Sequence, residues 1–112
     1  MDAFRSLDRS PVVSSFAVLD HRVWHTGSYL RLTVVLRDGS ELHTREYLDE
    51  YEKKYSFHWQ TATGDLLVRW DNAQHHRELS THPDHKHVDG GVEASFEVSL
   101  DDVLLWIEQQ MA

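Results

Sequence analysis

The chain has 112 residues, no cysteine and a formal net charge of −8 with histidine neutral. That length is one domain with no disulfide, no cysteine-ligated zinc and no thiol nucleophile. The excess of acid argues against general adhesion to nucleic acid, and the absence of a leader core or of any apolar run near the roughly 18 residues of a membrane span leads us to expect a cytoplasmic domain with no membrane partner.

Whether a short helix forms around Asp2 to Arg9 is left open by the sequence. Ser14 to Trp24 is rich in β-compatible residues, and His25-Thr26-Gly27-Ser28 supplies a turn into Tyr29 to Arg37. There Leu30, Leu32, Val34 and Leu36 recur with period two and make a core face. Asp38-Gly39 marks a hairpin returning through Glu41 to Leu48. A two-residue loop would set Leu36 against Glu41 and mismatch the apolar faces, so we expect a three-residue loop with a bulge that pairs Leu36 with Leu42.

In that register Leu42, Thr44 and Leu48 face the core, which turns His43, Arg45 and Tyr47 to the other side. After the charged connector Asp49 to Lys54, Tyr55, Phe57 and Trp59 point in and Ser56, His58 and Gln60 point out. Thr61 to Asp65 turns the chain into Leu66 to Asp71, where Leu66, Val68 and Trp70 extend the core face and Arg69 and Asp71 share the face of His58. If Trp59 pairs near Leu66, His58 and Arg69 are diagonal neighbours. His43, Arg45, Tyr47, His58 and Arg69 then make a polar face.

A long connection from Gln74 to Gly91 leads to a C-terminal helix. Ser99 is its N-cap, Asp101 and Asp102 suit its positive end, and Leu100, Val103, Leu104, Ile107 and Met111 form its apolar stripe. Trp106 falls beside the stripe, at the edge of the core or as part of a partner surface. The expected architecture is α+β: a single domain over residues 1–112, an antiparallel sheet of four or five strands, and the C-terminal helix packed on one face.

The most informative stretch is Asp71 to Val88, which holds five histidines, His75, His76, His82, His85 and His87, among Asp71, Asn72, Arg77 and Lys86. Imidazoles in polar company are poor core material and good material for proton transfer or metal binding. The charge is also unevenly spread. Asp89 to Ala112 contains six acids and no Lys or Arg, whereas three bases balance three acids between Arg69 and Val88. Binding of nucleic acid at one focused site is therefore compatible with the acidic total.

The runs Tyr55-Ser56-Phe57-His58-Trp59-Gln60, Leu67 to His76 and Thr81-His82-Pro83-Asp84-His85-Lys86-His87 follow the order and spacing of the TumE family, with Asp38-Gly39-Ser40 and Arg45-Glu46-Tyr47 also matching. The chain resembles that family from about Leu30 to its end. TumE proteins are described as toxins of type II toxin-antitoxin pairs, usually encoded beside a helix-turn-helix antitoxin. The resemblance implies a growth inhibitor held inactive by such a partner, as a toxin-antitoxin hetero-oligomer or with a homodimeric toxin; it implies no settled chemistry.

The side chains offer the groups that RNA cleavage needs, and RNA is the expected substrate. Attack by a 2′-hydroxyl needs a base, a cation for the developing phosphorane charge and an acid for the leaving oxygen. His58 or His76 could be the base, Arg69 with Arg45 the phosphate clamp, His85 or His87 the acid, and Tyr47 could position the phosphate. Asp71, Asn72, His75 and Lys86 are candidate substrate-binding residues. This metal-independent ribonuclease needs no cofactor. Its chemical rival is a metal-dependent hydrolase, in which His85 and His87 lie on one side of an extended segment and His75, His76 or Asp71 completes a three-ligand site. The non-enzymatic rival is a toxin that occupies a protein target and uses its histidines structurally.

Overall fold

The computed structural model describes residues 3–74 and 79–111. Its elements, in chain order, are α1 (Ala3–Arg9), β1 (Val13–Trp24), β2 (Gly27–Leu36), β3 (Glu41–Leu48), β4 (Lys53–Gln60), β5 (Leu66–Asp71), β6 (His85–Val88), β7 (Gly91–Ala94) and α2 (Leu100–Met111). The strands form one antiparallel meander in the order β1 to β7. The sheet thus has seven strands among the described residues rather than four or five. Of the two extra strands, β6 lies inside the segment expected to be a long connection, and β7 begins at Gly91, where that segment was expected to end.

Period-two burial places the core. Leu32, Val34 and Leu36 of β2, Leu42 of β3, Tyr55, Phe57 and Trp59 of β4, and Val68 and Trp70 of β5 are buried together. Leu100, Val103, Leu104 and Ile107 of α2 cover that face, and Leu7 of α1 joins them. Burying the four α2 side chains stabilises the domain by roughly 6–12 kcal/mol, an upper figure because the unfolded chain already hides some apolar surface. Helix α2 begins as expected. Ser99 Oγ accepts from the Asp102 amide at 3.3 Å, and Asp102 Oδ2 accepts from the Ser99 amide at 2.8 Å. Trp106 sits at the core edge, its ring 6.0 Å from Trp59 and 5.3 Å from Trp70.

Two expectations of register change, and two of burial. Leu42 pairs with Val34 rather than Leu36. The loop still has three residues, Arg37 to Gly39, because the Leu36 amide donates to Ser40 O at 2.9 Å and Gly39 takes φ +86°. Trp59 pairs with Val68, not near Leu66, so His58 and Arg69 stand directly opposite one another. Leu48 and Leu66, assigned to the core, are 49% and 46% exposed: each lies at a strand end, and a register shift between Trp59 and Gln60 pairs Leu66 with Gln60 of the polar face.

Candidate active site

The register lines up two rows of residues across the polar face, opposite α2. The first runs Thr33, His43, His58, Arg69 and His87 from β2 to β6. The second runs Arg31, Arg45, Ser56, Asp71 and His85. Five of the expected catalytic residues, Arg45, His58, Arg69, His85 and His87, therefore fall in two adjacent rows, with Asp71 among them.

Arg69 links the rows. Its Nη1 lies 3.3 Å from His58 Nδ1, and its Nε donates to Asp71 Oδ2 at 3.1 Å. A guanidinium only donates, so His58 Nδ1 accepts and a neutral ring carries its proton on Nε2. Burial first, then the charges of Arg69 and His43, hold the His58 pKa below the usual histidine value, against the opposing effect of a Gln60 hydrogen bond. In the free protein His58 is a neutral donor. His43 Nδ1 is 3.2 Å from Thr33 Oγ1, and its ring centroid is 6.5 Å from that of His58.

Asp71 is the hub. The residue is 6% exposed, and its Oδ1 accepts from the Ala73 amide at 3.0 Å and lies 2.8 Å from His85 Nε2. Its Oδ2 lies 3.5 Å from His87 Nε2. His85 is 1% exposed, its Nδ1 is 2.9 Å from Pro83 O, and its Nε2 is 3.1 Å from His87 Nε2. A carbonyl oxygen only accepts, so Nδ1 carries a proton and donates it to Pro83. The chain between β5 and β6 is tied to the sheet by Tyr55, whose hydroxyl donates to Asp84 Oδ1 at 2.7 Å. Burial, then this hydrogen bond, raises the Tyr55 pKa far above its ordinary value.

Beside the hub is a groove of ≈ 900 Å³, with Arg45, Tyr47, Lys54, Arg69 and Asp71 in its wall. Arg45, Ser56 and Arg69 also border a second hollow of ≈ 410 Å³ that reaches Arg31, His43 and His58. The two form one cationic strip. Tyr47 faces it but is committed locally, donating to Asp49 Oδ2 at 2.6 Å; that bond, first, raises its pKa.

Two expected substrate ligands are engaged elsewhere. Asn72 Oδ1 accepts from the Tyr55 amide at 3.0 Å and its Nδ2 donates to Lys53 O at 2.7 Å, which splices the end of β5 to β4. Lys86 faces the helix side, 5.7 Å from the Trp106 ring centre and 3.8 Å from Glu93. His75 and His76 lie outside the described residues. Arg31 was missed by sequence reasoning, since it hides inside the apolar run of β2; period two places it on the face of Arg45, which was the available signal.

No helix of the described residues is long and apolar enough to cross a membrane. Comparison with curated proteins and with solved structures finds no match. The family described as Toxin TumE matches residues 3–111, which takes in the N-terminal helix and first strand as well as the histidine segment. The role is that of a toxin, which implies an antitoxin partner, and the chain belongs to the TumE toxin family.

Proposed function

We propose that this toxin is an endoribonuclease whose substrate lies along the cationic strip and is cleaved beside Asp71. The observation that carries the reading is the juxtaposition of Arg31 and Arg45, directly opposite one another in β2 and β3 and followed by Arg69 two strands on. Like charges directly opposed weaken a sheet. Among the described residues neither Arg31 nor Arg45 forms an ion pair, and Asp20, which stands across from Arg31, is engaged by Arg22 at 3.1 Å. A chain with net charge −8 that concentrates arginine on one face has a surface suited to a polyanion.

The chemistry follows from the positions. Arg45 and Arg69 hold the scissile phosphate, and the Asp71–His85–His87 centre removes the proton of the adjacent 2′-hydroxyl. The 2′-oxygen bonds to phosphorus, the bond to the 5′-oxygen breaks, and a water molecule gives its proton to that leaving oxygen, the hydroxide so formed taking back the proton held by the Asp71 centre. Products are a 2′,3′-cyclic phosphate and a 5′-hydroxyl. A helix-turn-helix antitoxin encoded beside the toxin, as in type II pairs, would silence it by covering the strip.

Brief induction of the chain in a bacterial host, followed by total-RNA analysis, tests this. The parent cuts RNA and stops growth, whereas Arg69→Ala and His87→Ala, confirmed to be folded by circular dichroism, do neither. Growth arrest with intact RNA would overturn the ribonuclease.

A further inference from the structure

We infer that Asp71, His85 and His87 bind one divalent transition-metal ion, with zinc the best fit to the donor set. The inference deepens the ribonuclease reading by naming what occupies its centre, but it rests on separate observations.

The first is convergence. His85 Nε2 and His87 Nε2 are 3.1 Å apart, Asp71 Oδ1 lies 2.8 Å from His85 Nε2, and Asp71 Oδ2 lies 3.5 Å from His87 Nε2. Ligand bonds of about 2.0–2.1 Å at octahedral to tetrahedral angles require donor separations of roughly 2.9–3.4 Å. Each observed distance is close to that interval, with one carboxylate oxygen toward each imidazole. The imidazoles meet at 76° with their Nε2 atoms toward each other, so the cluster is built around a point and not as a stack.

The second is proton placement. His85 Nδ1 donates to Pro83 O, so the neutral ring presents an Nε2 lone pair to a carboxylate and to a second imidazole nitrogen. Something positive must stand between these donors, a proton or a metal ion. A histidine that donates its outer N–H to a backbone carbonyl while its inner nitrogen meets a carboxylate has the usual support of a metal ligand.

The third is framing. Pairing of Asp71 with His85 and of Arg69 with His87 puts both imidazoles on the side of the carboxylate. Asp71 and His85 are buried, while the His87 side chain is 29% exposed, leaving the centre open on one side. Two nitrogens and one carboxylate oxygen suit zinc, and three protein ligands leave a position for water, the arrangement of hydrolytic zinc sites. Hydroxide on such an ion would take the 2′-hydroxyl proton and become bound water.

The full chain, stripped with chelator and dialysed, is titrated with zinc alone by calorimetry, and with cobalt(II) alone by visible absorption. One ion should bind per chain, and the cobalt form should show the intense bands of a low-coordinate site. His87→Ala and Asp71→Asn should each weaken zinc binding by about 100-fold or more, while His25→Ala, a change in the exposed β1–β2 turn, leaves it intact. Circular dichroism reports folding, and His87→Gln gives a second test if His87→Ala is unstable. Absence of binding, or binding equal in parent, His87→Ala and Asp71→Asn, overturns the site and marks any bound zinc as adventitious. Zinc binding without RNA cleavage would overturn the ribonuclease and keep the site; cleavage by a chain that binds no zinc would do the reverse.

Discussion

Replacing Asp71 should unfold the domain far more readily than its place at a strand end would imply. Its carboxylate accepts from the Arg69 guanidinium and the Ala73 amide and faces buried His85 at 2.8 Å. Hydrogen bonds to a charged group contribute about 1.5–3 kcal/mol each, and removing one partner of a buried polar pair costs about 3–5 kcal/mol because the other is left without compensation. We therefore expect Asp71→Ala to lose about 3–5 kcal/mol, a melting-point fall of roughly 10–25 °C for a domain of this size. Asp71→Asn keeps an acceptor for the Ala73 amide and should lose about 1–2 kcal/mol. His43→Ala, on the same face but with a 3.6 Å contact to Glu41, a Thr33 hydrogen bond and a loose ring contact with His58 at 6.5 Å, should stay within about 1 kcal/mol of the parent. Urea unfolding followed by the fluorescence of the four tryptophans, in the presence of chelator, gives these numbers. Asp71→Ala within about 1 kcal/mol of the parent would refute the view of Asp71 as the hub.

Three further perturbations probe the frame of the site. In Gly27→Ala the new methyl group would collide with the Leu48 carbonyl oxygen, so stability should fall by about 1–3 kcal/mol in the same unfolding assay. Tyr55→Phe removes the hydroxyl donated to Asp84 and should cost about 1.5–3 kcal/mol, with faster amide exchange in residues 79–84 than in β2. Burial raises the Glu46 pKa above its ordinary 4.5, opposed by Lys53 and the N-terminus. The folded state then keeps a proton that the unfolded state releases, so this residue's contribution to stability falls as pH rises from 4.5 through the raised value. Glu46→Gln should accordingly gain on the parent between low and neutral pH, and parallel denaturation curves across that range check the sign.

The parts of the fold that depend on alternation were legible in the sequence. Tyr55, Phe57 and Trp59 announce a buried face by spacing alone, and Ser99 with Asp102 announces the start of α2. Parity was readable at the β2–β3 hairpin, but register was not. Pairing Leu42 with Leu36 or with Val34 buries the same side chains, and the choice is made by the turn, where Gly39 takes a left-handed conformation. Strands β6 and β7 could not be read because His85-Lys86-His87-Val88 and Gly91 to Ala94 have no apolar alternation. What fixes β6 is tertiary: pairing with β5 and the contact of His85 with Asp71.

The same limit applied to the site. Side-chain type and alternation were enough to place Arg45, His58 and Arg69 on one face with Asp71. The meeting of His85 and His87 with that carboxylate required the β5–β6 pairing, which joins residues 14 to 18 positions apart by contacts no local pattern encodes. Lys86 shows the converse. Its position in the histidine run made it look like a site residue, yet a one-residue step along β6 turns it to the helix face and the Trp106 ring.

The central claim is that the cationic strip and the Asp71 centre cleave RNA. The most direct test mixes the purified full chain with an end-labelled RNA, in parallel with its 2′-deoxy counterpart, and reads the termini of the fragments. The account predicts cleavage of the RNA alone, leaving cyclic phosphate and 5′-hydroxyl ends, with turnover lost in Arg69→Ala and His87→Ala. RNA that stays intact at equimolar protein, from a preparation that still arrests growth when expressed, would contradict it.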